Sequence, residues 1–82
     1  MVSGDLVRRV LAGEDAAWHE LLVLLTPGVV RQVRIHLRRV GDREDVVQEV
    51  LTRVFLNIRS VREDTHLERW VTRIAINTCH DW

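Results

Sequence analysis

The run from Asp42 to Ile58, DREDVVQEVLTRVFLNI, decides the fold class. Val47, Val50, Leu51, Val54, Phe55 and Ile58 recur every three or four residues, the period of a helix that buries one face. Asp42 suits the N-cap, and Asp45 stands three residues on, where a capping box carries its acidic partner. Glu44 and Asp45 also suit the positive end of the helix dipole. The opposite face carries Asp45, Gln48, Glu49 and Thr52, which is polar throughout.

Working outward, the same period continues in both directions. Upstream, residues 3–12 open with Ser3 and Asp5 as cap candidates, run through LVRRVLA and stop at Gly13. A second helix begins near Asp15, with Trp18, Leu21, Leu22 and Leu25 on one face. Pro27 lacks a backbone donor, so it either kinks this helix or opens a new one. Val30, Val33, Leu37 and Val40 carry the stripe on to a stop at Gly41. Arg31, Arg34, Arg38 and Arg39 make the other side basic.

Downstream, residues 59–66, RSVREDTH, are polar except for Val61 and read as a loop, with Asp64 or Thr65 capping the last helix. That helix turns Leu67, Val71, Ile74, Ala75 and Thr78 inward. Trp70, Arg73, Asn77 and His80 form a second line of neighbours. No sustained period-two alternation occurs, so the expected fold is all-α, a compact bundle of four to five helices.

Composition bounds the function. Eighty-two residues make one domain, near the lower size limit for a core without staples. The single cysteine, Cys79, excludes an internal disulfide. Twelve arginines balance twelve acidic residues, and there is no lysine. A chain of zero net charge is a poor candidate for coating duplex DNA by charge alone. No apolar run is long enough to cross a bilayer, and the charged N-terminus is no signal peptide, so the expected location is cytoplasmic. The helix still running at Trp82 reads as a piece of a longer protein.

Few residues offer chemistry. His19, His36, His66 and His80 show no chelating spacing, and Cys79 and His80 point about 100 degrees apart on a helix, so no metal or other cofactor is expected. Cys79 beside the inward stripe reads as a small buried hydrophobe, and no phosphate-binding glycine loop or nucleophile elbow is present. The expectation is a protein that is not an enzyme. Two surfaces remain. The face Asp45, Gln48, Glu49 is either an ordinary solvated face or a docking face. Trp70, with Arg73 and Asn77, either packs at the core edge or recognises a single strand: an indole stacks bases, a guanidinium meets phosphate and an amide meets a base edge.

The segments GDREDVVQEVLTRVFLNI and LERWVTRIAINTCHDW, in this order and separation, resemble region two of bacterial sigma factors of the extracytoplasmic function (ECF) group, in the sigma-seventy family. DLVRRVLAGEDAAWHELL resembles that group's first helices, so the likeness spans about Asp5 to Trp82. It implies the sigma region-two fold over residues 1–82, with the family's region-four domain absent from this chain.

It also implies a role in transcription initiation. Asp45, Gln48, Glu49 and Thr52 would dock on the beta-prime clamp helices of RNA polymerase. Val61 and Arg62 in the loop, with Arg69, Trp70, Arg73 and Asn77 on the last helix, would read the single-stranded non-template −10 element of promoter DNA as it melts. An anti-sigma factor would be a further partner. The chain departs from the family where Val61-Arg62-Glu63-Asp64 stands in place of an aromatic- and glycine-containing loop, and where Ile76 replaces a frequent arginine. These departures imply an unusual promoter preference or weak melting.

The alternative is a generic helical protein-protein interaction module without sequence-specific DNA binding. A duplex-binding helix-turn-helix is a third, which the neutral charge disfavours. A monomer is expected, since no helix has an unclaimed apolar stripe.

Overall fold

The computed structural model describes residues 2–61 and 66–82, and every element among them is helical. Helix α1 spans Gly4–Leu11, α2 Asp15–His36, α3 Arg43–Asn57 and α4 Leu67–Asp81, with short 3-10 turns at Val40–Asp42 and Ile58–Ser60. The all-α bundle is as expected.

The start and stop of α1 follow local chemistry. Ser3 Oγ accepts the Leu6 N–H at 3.2 Å, satisfying a donor that the first turn leaves free. At the other end Gly13 has φ +88°. Its N–H donates to the Val10 carbonyl, and the Glu14 N–H donates to that of Arg9. This is the Schellman closure, which needs a left-handed residue and so favours glycine.

Pro27 neither ends α2 nor starts a new helix, because α2 continues through it to His36. Pro27 and Val23 are exposed, so water can bond the Val23 carbonyl that the proline nitrogen leaves free. Continuity carries the buried ridge at intervals of four: Ala17, Leu21, Leu25, Val29 and Val33. Val29 therefore takes the core place expected for Val30, which is half-buried, and Val40 is 62% exposed. The helix ends before the stop expected at Gly41, because Leu37 turns extended at ψ 126°.

Helix α3 presents the same ridge of fours. Val46, Val50 and Val54 are fully buried and Ile58 nearly so, while Val47 and Leu51 flank them. Val50, Val54 and Ile58 thus hold the core places expected of them, while Val46 joins the ridge and Phe55 leaves it. Phe55 is 54% exposed and meets Trp18 edge-on, with ring centroids 4.9 Å apart. Asp42 holds the N-cap position of α3 but makes no side-chain cap bond. Its carboxylate instead accepts the Trp82 indole N–H at 3.1 Å.

Helix α4 packs on both α2 and α3. It buries Leu67, Val71, Ala75, Thr78 and Cys79, with Ile74 at the edge. The buried Thr78 hydroxyl donates to the Ile74 carbonyl at 2.7 Å, so that hydroxyl is not stranded. Its N-cap is His66; Asp64 and Thr65, the expected caps, lie outside the described residues.

Candidate functional site

Asp45, Gln48, Glu49 and Thr52 project from one side of α3, opposite the valine ridge. Asp45, Gln48 and Thr52 are exposed and Glu49 is half-buried. The period of 3.6 puts Leu56 on this same face, and it is 70% exposed. An apolar side chain therefore extends the polar face, which the hydrophobic stripe in the sequence concealed.

Glu49 is not a free carboxylate. Arg53 Nε donates to it at 3.0 Å, and the far side of the same guanidinium donates to Asp81 of α4, also at 3.0 Å. Arg53 thereby ties α3 to α4. The hydrogen bonds to Asp81, then Glu49, push the Arg53 pKa above the ordinary guanidinium range. Only tertiary structure brings residues 53 and 81 together.

Beside this face lies an open cavity of about 500 Å³ between α2 and α3. Val30, Val33 and Val47 form its apolar part, with Arg34, Arg43 and Gln48 also lining it. Arg43 Nε is buried and has no hydrogen-bond partner among the described residues. Such a donor is costly to leave unmet, and Glu44 also lines the cavity.

The second surface is on α4. Arg69, Arg73 and Asn77 are exposed, and their spacing makes them neighbours on the outer side. Trp70 is half-buried and rests partly on the core, as does Val61. One part of each is structural and the remainder is open to solvent. Ile76 is half-buried at the edge of the same surface. Arg62 lies outside the described residues.

Other chemistry is sparse. Burial pushes the Cys79 thiol pKa up, which lowers its thiolate fraction and reactivity. The described residues contain no group of three or more side chains placed to hold a metal ion, and no helix among them is long and apolar enough to cross a membrane.

Comparison with known proteins adds two findings. Residues 22–82 match the model of the family Sigma-70 region 2. The chain is 34% identical over 77 residues to the ECF RNA polymerase sigma-E factors of Escherichia coli (strain K12) and Salmonella typhimurium (strain LT2). Each match covers 94% of this chain and 40% of the relative, so the chain spans about two fifths of the length of the curated relatives it matches.

Proposed function

The chain belongs to the Sigma-70 region 2 family, and from that premise we propose that it is the part of an ECF-type sigma factor that docks on core RNA polymerase and reads the −10 promoter element. The observation that carries this reading is the pair of chemically distinct surfaces on adjacent helices. The face Asp45, Gln48, Glu49 and Thr52 is acidic and amidic, which complements an arginine-rich partner helix such as the beta-prime clamp. The apolar floor beside it, Val30, Val33 and Val47, offers that partner a place for an aliphatic side chain.

On α4, Trp70 stacks a base of the non-template strand, Arg73 and Arg69 meet phosphates, and Asn77 pairs with a base edge. The segment with Val61 and Arg62 takes one flipped base. Extrusion costs a few kcal/mol, which only a fitting base recovers, so reading and melting are one step. Val61 in place of an aromatic residue makes that recovery smaller, and weak melting or an unusual promoter preference follows. In this account the protein works in the cytoplasm, supplies no catalysis of its own, and is held in check by an anti-sigma factor that covers the same surfaces.

The test is a labelled non-template −10 strand mixed with core polymerase and the 82-residue chain, read by fluorescence anisotropy. The two proteins together should bind the strand more tightly than the chain alone, and this gain is the readout. Gln48→Ala with Glu49→Ala should abolish it through the polymerase, and Arg73→Ala with Asn77→Ala through the strand. Polymerase binding without preference among strand sequences would favour the interaction-only module.

A further inference from the structure

The end of the bundle where α2 and α4 finish holds a group of donors that neither surface uses. An open cavity of about 360 Å³ is lined there by His36, Arg38, Arg39, His80 and Trp82, with Cys79 at its wall. The His36 and His80 rings meet edge to face at 6.2 Å. Arg38 makes no ion pair among the described residues, and Arg39 only a loose one, 4.0 Å from Asp42. Asp42 already accepts the Trp82 indole N–H. Asp81, the other acid nearby, is taken by Arg53. The cavity is therefore rich in N–H donors, and no acid is among the described residues that line it.

Its position relates it to α4. Arg69, Arg73 and His80 are exposed and, at offsets of four and seven, lie along one side of that helix. His80 is both the end of this line and a wall of the cavity. A strand following the outer side of α4 reaches the cavity at its end.

We propose that this cavity binds a backbone phosphate of the DNA strand beyond the stretch read by α4. The inference rests on the promoter-reading role given above and adds an anchoring subsite to it. Two guanidiniums and two imidazoles suit phosphate oxygens, guanidinium by its planar fork and imidazole by its N–H. The contact positions the strand without reading sequence, as backbone contacts do.

The experiment measures binding of a single-stranded oligonucleotide, long enough to pass the end of α4, across a salt series. It uses the 82-residue chain as its C-terminal amide, so that no terminal carboxylate adds charge at Trp82. Arg38→Ala with Arg39→Ala should weaken binding severalfold at low salt. It should also flatten the salt dependence by at least about 0.7, the slope carried by one phosphate contact on a single strand. His36→Gln with His80→Gln should weaken binding in the same direction. Both arginines are exposed, and an unchanged circular dichroism melt shows the fold intact.

An unaltered slope in the arginine variant, with Arg73→Ala still weakening binding, overturns the phosphate site and leaves the promoter-reading role standing. A wild-type chain that binds no strand, alone or on core polymerase, overturns both. Inorganic phosphate, titrated while the His36 and His80 ring protons are followed by NMR, separates the two sources of the ligand. Free ion that saturates the site as tightly as the oligonucleotide does would assign it to free phosphate and overturn the strand assignment.

Discussion

On α3 the solvent side is made of two carboxylates, an amide and a hydroxyl, Asp45, Glu49, Gln48 and Thr52, with Leu56 beyond them. On α4 it is made of two guanidiniums, an amide and an indole, Arg69, Arg73, Asn77 and Trp70. The two helices have the same length and share one core, so the difference lies wholly in the outer residues. Zero net charge over the whole chain is therefore compatible with local faces of opposite sign. A domain can engage a basic helix on one side and a polyanion on the other only if those charges are kept apart. Arg53 marks the seam, where its guanidinium binds one acid from each helix.

The contrast depends on the core that holds both helices. Leu21 is fully buried on α2, the helix that packs against α1, α3 and α4. Leu21→Ala should cost about 3 kcal/mol of stability, the range for a large-to-small change in a well-packed core. Thermal melting checks this, and both binding activities should fall together. Loss of only one would mean that the two faces do not share a support.

The next largest effect should fall on one face alone. Trp70→Ala should cost about 2 kcal/mol of strand binding, the loss of one stacked base, and leave polymerase affinity unchanged. Because Trp70 also leans on the core, a melt of the variant beside the binding isotherm separates stacking from stability. Equal losses of polymerase and strand binding would erase the distinction between the faces.

Much of this was legible in the sequence, and the remainder was not for identifiable reasons. Ser3, Gly13 and Asp15 marked helix boundaries correctly because capping and left-handed closure are local events. The inward residues Leu67, Val71, Ala75 and Thr78 of α4 followed from period alone. In α3 the expected stripe covers two adjacent apolar rows, because hydrophobicity cannot say which of them meets the partner helix; Val50, Val54 and Ile58 are buried as expected, with Val47 and Leu51 against them. Val46 fills the core, and Phe55 is left to meet Trp18. Pro27 was ambiguous because an exposed position tolerates a missing hydrogen bond that a buried one would not. The Asp42 carboxylate was drawn from its expected cap by Trp82, forty residues away, and Arg53 was drawn across to Asp81. On the site side, the outward placement of Asp45, Gln48, Thr52, Arg69, Arg73 and Asn77 was readable, whereas the partial burial of Trp70 and the exposure of Leu56 needed the packed bundle.

Two smaller predictions sharpen the seam and the interior. Arg53→Met should cost no more than about 1 kcal/mol of stability, the usual ceiling for solvent-screened ion pairs. High salt should shrink the wild-type advantage, which denaturant titration at two ionic strengths reads. In the interior, burial raises the Cys79 pKa above its value in the unfolded chain. The stability linked to that thiol is thus fully present below the unfolded thiol pKa and is lost as pH rises through the folded one. Alkaline pH should destabilise the protein, and Cys79→Ala should reduce that loss. Thiol alkylation near neutral pH should run more slowly than in an unfolded peptide.

The most direct test of the account is calorimetric titration of the folded chain against core RNA polymerase, with the Gln48→Ala, Glu49→Ala variant beside it. The account predicts saturable binding that the variant weakens by more than about 1.4 kcal/mol, a tenfold loss. A folded wild-type chain that does not bind, or a variant that binds equally well, would contradict the claim that the polar face of α3 is the docking surface.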